Sequence, residues 1–319
     1  MNKKKTMKSL QTVVLIFLLG SLVACGQAQV VPPTATETLI PTEAPPNTIT
    51  PVPANTNTPE PTPIPGLQVY PVDSLGSSIP WLPLDENNRP MTVYYGFNVE
   101  KPPFNNVLVR QAFAAAIDRE QIAKEAASFK FREVTPATSL TPSQVLGRDL
   151  YGEIGIGFNP SKAKELLQQA GYTTVASFPP VTLVVTTRGE AAPGAYFRMA
   201  QTIVGMWETH LGIKVKIEDF GSMGSYIDRL QTNPPDMYQL GWGADYNDPD
   251  NFLKTLFHSD SEFNYGRFSN QEFDRLISEA ANISNPEERQ LLYIQAEEIL
   301  TEKDTGVIPL FHTLYYQQP

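Results

Sequence analysis

The chain has 319 residues and a formal net charge of −10 at pH 7. This acidity argues against nucleic acid as a partner, because its phosphates would be repelled, but it is compatible with a cationic or zwitterionic small molecule. The hydrophobic fraction of 41% is near that of globular proteins, whereas the 29 prolines exceed the usual share.

The N-terminus has the pattern of a bacterial export signal. Lysines precede an apolar run over residues 10–23, which is too short to span a bilayer comfortably. The run ends in LVACG, which resembles a lipobox and contains the only cysteine, Cys25. An ordinary signal peptide cut near Ala24 is the alternative, but it would leave an exported protein with one free thiol. We therefore predict a lipoprotein signal peptide over residues 1–24 and a lipid anchor at Cys25.

The segment that follows, through residue 65, is rich in proline and threonine and has no aromatic residue or apolar periodicity. Such a composition cannot bury enough surface to offset the entropy of ordering, and its prolines favour extended polyproline II. We predict that residues 25–65 form a disordered stalk that holds a folded body, residues 66–319, away from the membrane.

The body alternates predicted strands and helices, so the predicted class is α/β. Predicted strands cover residues 91–98, 181–187, 213–220, 236–242 and 306–316. Predicted helices cover residues 107–117, 118–126, 160–170, 195–211, 225–230, 269–281 and 285–303, with a further helix starting at Pro249.

Asparagine–proline pairs mark two of these helix starts. Asn159 and Asn285 are predicted N-caps, each followed by proline at the first helical position. Ser269 and Glu272 have the spacing of a capping box, which predicts Ser269 as the N-cap of a third helix.

The sequence contains no recognisable catalytic constellation. Its histidines, His210, His258 and His312, are far apart, and the nucleophile motif GxSxG and a phosphate-binding loop are both missing. Glu297 and Glu298 are interpreted as a solvated helix face, and His312 as a half-buried strand residue. We expect no enzymatic activity and no cofactor.

The acidic stretch QLGWGADYNDPDNF, residues 239–252, could be mistaken for a calcium loop. Counted from Asp245, the required glycine at position 6 is Asp250 and the required glutamate at position 12 is Leu256. We therefore expect no metal site there.

Several segments together resemble family 5 of the extracellular solute-binding proteins, the oligopeptide and dipeptide receptors of ABC importers. They are YYGFNVEKPPFNNVLVRQAFAAAIDREQI at 94–122, NPSKAKELLQQAGY at 159–172, and the acidic stretch with its continuation to residue 319. The resemblance implies a periplasmic-binding-protein-like type II lobe with a mixed sheet and flanking helices. It also implies an extracytoplasmic protein that passes a peptide or similar solute to an ABC transporter permease.

The resemblance also implies a set of ligand-binding residues. Asp245 matches the carboxylate that pairs with the ligand ammonium, and Trp242 matches an aromatic wall of the side-chain pockets. Gly241 and Gly243 would leave backbone accessible to an extended peptide, and Tyr246 would support the loop. In the alternative interpretation, Trp242 and Tyr246 are core aromatics and Asp245 caps the following helix.

Two differences from the family leave the ligand open. Gln239 occupies the position where oligopeptide receptors place a basic residue that meets a ligand carboxylate, and Tyr196 is a weaker candidate for ligand contact. The folded body is also about half the family length, which suggests one lobe of a two-lobed receptor. The alternative function is therefore a non-binding lobe that acts as a structural or interaction lipoprotein.

Overall fold

The computed structural model describes residues 89–129, 131–187 and 194–315. These residues all belong to one compact unit, Gln68–Pro319. The predicted signal peptide, Cys25 and the predicted stalk lie outside the described residues.

The described part of the chain alternates strands and helices, as the sequence predicts. The strands are β1 (Arg89–Phe97), β2 (Arg132–Pro136), β3 (Val181–Thr186), β4 (Val215–Phe220), β5 (Met237–Gly243) and β6 (Val307–Tyr315). The helices are α1 (Val107–Ala115), α2 (Arg119–Ser128), α3 (Ser143–Leu146), α4 (Pro160–Gln169), α5 (Ala195–Leu211), α6 (Met223–Thr232), α7 (Asp250–Phe257), α8 (Gln271–Ala280) and α9 (Pro286–Glu298). A 3₁₀ turn (Val175–Ser177) precedes β3, and a π-helical turn (Ile299–Lys303) extends α9.

The six strands form one mixed sheet in the order β2-β6-β1-β5-β3-β4. β3 is parallel to β4 and to β5, whereas β1 is antiparallel to β5 and β6, and β2 is antiparallel to β6. The predicted fold class, a mixed sheet with flanking helices, is confirmed. β2 was not predicted, because its residues are mostly exposed and show no apolar alternation.

The main apolar core lies between one face of the sheet and helices α1, α2, α4 and α5. Alternate residues of β1, including Met91, Val93 and Tyr95, point into this core together with Trp207 of α5. The intervening residues point to the other face, where the ring of Tyr94 packs edge-on against Phe257 of α7. Helices therefore cover both faces of the sheet, as expected for strands buried on both sides.

Two arginines in the segment 94–122 are structural. Arg110 is buried and donates to the carbonyl oxygens of Phe104, Asp304 and Thr305. Burial lowers the pKa of Arg110 to about 10. Arg119 is buried too and donates to the carbonyl oxygen of Pro309 at 2.7 Å. The two side chains therefore tie the α1–α2 region to the chain on either side of the start of β6.

Asparagine side chains cap four of the described helices, including α1, where Asn106 accepts from the amide of Leu108. Asn159 and Asn285 accept hydrogen bonds from the first turns of α4 and α9, which confirms both predicted starts. The predicted capping box was wrong: Asn270 caps α8 by accepting from the amide of Phe273. Glu272 pairs with Arg275 instead, so its carboxylate lies along the exposed helix surface. Among the helices described, none is long and apolar enough to cross a membrane.

Candidate functional site

The candidate site lies at the carboxyl end of β5. β3, β4 and β5 are parallel, so their carboxyl ends share one edge of the sheet, where α/β folds commonly bind ligands. β5 pairs with β3 only at Met237 and Tyr238, while β3 stays paired with β4 as far as Thr186. From Gln239 to Gly243, therefore, the edge of β5 that faces β3 has no strand partner within the described ranges.

A tyrosine hydroxyl occupies the point where β3 and β5 separate. Tyr226, fully buried on α6, donates a short hydrogen bond to the carbonyl oxygen of Gln239, and its hydroxyl lies 3.4 Å from the carbonyl oxygen of Val184. Burial, more than any neighbouring group, raises the pKa of Tyr226 well above its ordinary value, so the group is a neutral donor. This bridge could not be predicted from the sequence, since it joins two strands through a side chain on a separate helix.

Asp245 follows β5 directly and is exposed at the edge of the sheet. The extended ladder places it opposite Arg89, because Met91 pairs with Gly243 and the Ala244 amide donates to the Pro90 carbonyl oxygen at 2.8 Å. Arg89 Nη1 lies 3.4 Å from Asp245 Oδ1, and the two side chains are 28% and 55% exposed. An ion pair this exposed is screened by water, so the Asp245 carboxylate remains accessible to another cation.

A buried amide connects Asp245 with Trp242. Asn251, in the first turn of α7, is 1% exposed, and its Oδ1 accepts from Trp242 Nε1 and from the Asp245 backbone amide, both at 3.0 Å. The half-buried Trp242 ring also meets Phe263 edge-on, with centroids 5.5 Å apart. One side chain thereby fixes both the aromatic ring and the backbone that carries the carboxylate.

The alternative interpretation of these residues was wrong on each point that the structure describes. Asp245 does not cap α7: the N-cap position is Pro249, and the side chain that accepts from the first amide of the helix, that of Asp250, belongs to Asp248. Tyr246 is 42% exposed and Trp242 only half-buried, so neither is a core aromatic. Burial and a hydrogen bond with Asp250 raise the pKa of Tyr246.

The loop after β5 is fastened to α9 by a buried ion pair that sequence reasoning missed. Asp248 is 4% exposed and accepts from both terminal nitrogens of Arg289, while its Oδ1 also accepts from the Asp250 amide at 3.0 Å. Arg289 donates to Tyr293 as well, at 2.8 Å. Burial and then the charge of Asp248 raise the pKa of Asp250. Asp248 thus holds the loop rather than offering a free carboxylate.

The other predicted residues lie on the opposite face of the sheet from Trp242. Gln239 and Gly241 alternate with Trp242 along β5, so they face the side of the main core. A Cβ added to Gly241 would lie 2.2 Å from Met91 Cε and 3.4 Å from the Tyr196 hydroxyl. Tyr196, on α5, is therefore close to β5 but separated from Trp242 by the sheet.

Gln239 is only 2% exposed, and its Oε1 has no hydrogen-bond partner in the described part of the chain. It is a buried acceptor below the cleft edge rather than an exposed contact residue. Gly243 is the last residue of β5 and pairs with Met91.

A second polar network lies beside Trp242 on the same face of the sheet. Trp242, Thr92 and His312 are direct cross-strand partners on β5, β1 and β6. Thr92 donates to the carbonyl oxygen of Leu140 at 2.6 Å, and His312 Nε2 lies 3.1 Å from that of Ser139. His312 is buried, not half-buried as predicted, and burial lowers its pKa to about 4.

Glu297 completes this network from α9. It is fully buried, which corrects its interpretation as part of a solvated helix face; the Glu298 side chain is 18% exposed and pairs with Lys303 at 3.0 Å. The Glu297 carboxylate accepts from the backbone amides of Leu140 and Thr141 at 2.7 and 2.6 Å. Burial raises the pKa of Glu297 to about 7, against the opposing effect of these hydrogen bonds.

The acidic residues around the loop do not converge on a metal position. Within residues 89–129, 131–187 and 194–315, no group of three or more histidine, cysteine, aspartate or glutamate side chains could hold an ion. Asp245 and Asp248 are instead paired with arginines. The arrangement has the chemistry of a binding site: a carboxylate, an aromatic ring and an unpaired strand edge.

This sheet, with helices on both faces and a cleft edge at the carboxyl end of β5, has the architecture of one lobe of a type II periplasmic binding protein. Solved structures of such proteins superpose on it. They include the ABC transporter-associated periplasmic binding protein DppA from Helicobacter pylori in complex with the peptide STSA, with a TM-score of 0.62, 29% identity and coverage of 72% of this chain and 43% of that one. A family model described as bacterial extracellular solute-binding proteins, family 5 Middle, matches residues 56–264. The chain belongs to this family.

Relatives in the family differ in the solutes that their names give. The "Probable deoxycholate-binding periplasmic protein YgiS" of Escherichia coli strain K12 is 34% identical over 69% of this chain, and the periplasmic oligopeptide-binding protein OppA of Salmonella typhimurium is 31% identical over 69%. This chain spans 39% of the length of each. A crystal structure titled as a peptide-binding protein of a peptide ABC transporter has a chain that is 99% covered, with a TM-score of 0.57 and 27% identity. Proteins of the family are solute-binding proteins rather than enzymes.

Proposed function

We propose that this protein is a lipid-anchored, extracytoplasmic solute-binding component of an ABC importer and that it binds a peptide or a similar amine-bearing solute. The observation that carries the proposal is the exposed Asp245 carboxylate, held beside Trp242 at the end of a strand whose outer edge is unpaired. Names and titles of relatives that bind oligopeptides and peptides support the choice of solute.

An extended peptide fits the open edge of β5 by strand addition. Its backbone would take the place of a neighbouring strand along residues 239–243, where pairing with β3 has ended. Because side chains of a strand alternate between faces, successive peptide side chains would point towards Trp242 and towards Tyr196. This explains how residues on opposite faces of the sheet could contact one solute.

Asp245 supplies the orientation of that peptide. A carboxylate that accepts from an ammonium forms a charge-assisted hydrogen bond, which is shorter and stronger than a neutral one. The peptide amine would compete with Arg89 for Asp245, and the exposed Arg89 pair is weak enough to be displaced. The solute would then run from its amine at Asp245 back along β5.

The test is binding of trialanine to the purified full chain by isothermal titration calorimetry, beside N-acetyl-trialanine and the Asp245→Asn variant. The variant keeps the shape of the side chain and removes its charge. A charged hydrogen bond is worth about 1.5–3 kcal/mol, so we expect the variant and the acetylated peptide each to bind about tenfold to a hundredfold more weakly.

Asp260→Asn is the matched control, because Asp260 is almost fully exposed and lies beyond the far end of α7. It should bind trialanine as the unmodified protein does. Equal affinity of trialanine for the Asp245→Asn variant and for the unmodified protein would exclude Asp245 as the amine anchor.

The membrane anchor and the permease are separate parts of the proposal. Acylation at Cys25 is tested by metabolic labelling with a fatty acid in a bacterial host, where Cys25→Ala should lose both the label and the membrane fraction. The permease partner is tested by whether trialanine uptake in the native host falls on deletion of the protein. A protein that folds cooperatively but binds no peptide would instead favour the alternative, an interaction lipoprotein.

A further inference from the structure

Buried side chains from three elements hold the backbone of residues 139–141, and we call this arrangement the clamp. Solute binding by itself does not require any one of these side chains. The segment has no regular secondary structure, yet residues 137–142 are all buried. Three strongly buried side chains from different elements hold its backbone: Thr92 on β1, His312 on β6 and Glu297 on α9. Of these, Glu297 makes two hydrogen bonds, to consecutive amides.

The clamp adjoins the candidate binding residue Trp242. Thr92 is the direct cross-strand partner of Trp242, and such partners have Cβ atoms about 4.5–5.5 Å apart. The hydroxyl of Thr92 in turn donates to Leu140, whose amide Glu297 holds. The segment 139–141 therefore lies one side chain away from Trp242, on the same face of the sheet.

The geometry at Glu297 suits an ionised carboxylate best. Its Oε2 accepts from the Leu140 amide and its Oε1 from the Thr141 amide, so both oxygens act as acceptors. A protonated carboxyl group or a glutamine presents a donor at one of these positions. One of the two amides would then meet a hydroxyl oxygen, which is a much weaker acceptor than a carboxylate oxygen, or in glutamine an amide nitrogen, which does not accept, so its hydrogen bond would be weakened or lost.

We propose that Glu297 is a positioning residue for the solute site: its ionised form fixes the segment 139–141 beside Trp242, and its protonation releases one of the two amides. This inference rests on the proposed function for its effect on solute binding, but the clamp itself does not. The segment 139–141 next to Trp242 is therefore held more rigidly in alkaline solution than in mildly acidic solution.

The surroundings of Glu297 support titration near neutrality. Burial raises its pKa to about 7, and no charged side chain contributes to that shift. His312, which faces the same segment from β6, has a pKa lowered to about 4 by burial, so it stays neutral in this range; Asp149 is the charged group that acts on it. Farther along α9, Arg289 and Tyr293 are engaged with Asp248.

The first experiment needs no variant and no ligand. Amide hydrogen exchange of the full chain is measured at pH about 6 and about 8, on either side of the midpoint, and corrected for intrinsic exchange rates. We expect protection at Leu140 or Thr141 to be about fivefold lower at the acidic pH, the effect of one lost hydrogen bond. Protection of both amides that does not change with pH would overturn the proposal.

The variants separate the clamp from general stability. Glu297→Gln should show the lower protection at both pH values, whereas the neighbouring Glu298→Gln should behave as the unmodified protein. Trialanine affinity is then measured for each protein at both pH values. The ratio of affinities between unmodified protein and Glu297→Gln should rise from near one at the acidic pH to about twofold to fivefold at the alkaline pH. Because the peptide amine titrates in the same way with both proteins, its effect on affinity cancels in the ratio.

Failures of the two proposals can be told apart. Absence of trialanine binding at every pH, together with pH-dependent protection of residues 140 and 141, would contradict the proposed function and leave the clamp supported. Trialanine binding with the same ratio at both pH values would overturn the role of Glu297 in positioning the solute site.

Discussion

Replacing Asn251 by alanine removes one oxygen that accepts two hydrogen bonds, from the Trp242 indole and from the Asp245 amide, both at 3.0 Å. A typical hydrogen bond contributes about 0.5–1.5 kcal/mol to stability, so the pair is worth about 2 kcal/mol. For a domain of this size, that corresponds to a melting temperature about 4–8 °C lower.

The free energy of unfolding is measured by urea titration of the full chain, with trialanine affinity as the second readout. Asn282→Ala is the matched control, since Asn282 is exposed and its side chain donates to the carbonyl oxygen of Ser278, four residues earlier, so it should change stability by less than about 0.5 kcal/mol. The affinity of Asn251→Ala should fall because both Trp242 and the Asp245 backbone lose their fixed positions. A stability within about 0.5 kcal/mol of the unmodified protein would show that Asn251 does not hold the site together.

Three further predictions follow from particular contacts. Gly96→Ala would place a Cβ 2.1 Å from the rigid ring of Tyr238, so we expect the free energy of unfolding in urea to fall by about 3 kcal/mol or more. Gly205→Ala, on α5 with nothing within 4 Å of the added Cβ, should raise it by about 0.5–1 kcal/mol. Equal effects of the two substitutions would contradict the packing described. His312 has a folded-state pKa of about 4, below its ordinary value of 6.5, so its contribution to stability is present above pH 6.5 and is lost as the pH falls towards 4, by up to about 1.4 kcal/mol per pH unit. Because Glu297, whose pKa is raised to about 7, contributes in the opposite direction over nearly the same range, the measured quantity is the difference in free energy of unfolding between His312→Gln and the unmodified protein; a difference that does not change between pH 6.5 and 4 would refute the assignment. Arg89→Gln should raise trialanine affinity, measured by calorimetry at low salt, by up to about fivefold, because the competing cation is gone. In about 1 M salt the difference between variant and unmodified protein should disappear. An unchanged or lower affinity at low salt would mean that Arg89 does not compete for Asp245.

Elements with a local signal were predictable from the sequence. α5 was predicted with its observed bounds, Ala195–Leu211, and the asparagine–proline starts of α4 and α9 are where the sequence placed them. At α8 two adjacent residues could cap, and the side chain of Asn270 rather than Ser269 reaches the Phe273 amide. Such one-residue choices depend on the path of the preceding chain, which local patterns do not contain.

Only the part of the candidate site that lies in one continuous stretch of sequence could be predicted. The stretch from Trp242 to Tyr246 could be read as one loop, but its supports come from afar in sequence: Arg89 across the ladder and Arg289 from α9. Glu297 was misread for the same reason. On its own helix it looks like one of several surface glutamates, and only the backbone of residues 140 and 141, more than 150 positions away, makes it an interior group.

Because β3 and β5 separate after two paired residues, the sheet consists of two parts that are weakly joined. The β3–β4 ribbon is joined to the four strands beyond it by the pairing at residues 183 and 184, by the Tyr226 hydroxyl, and by the Thr182 amide, which donates to Asp236 Oδ2 at 2.9 Å. A seam this short favours two units that open independently, a slower one around β1 and a faster one around β3 and β4. A peptide bound as a strand along the unpaired edge of β5 would strengthen the contact between these two units. Solute binding would therefore make the unfolding of the whole sheet more cooperative.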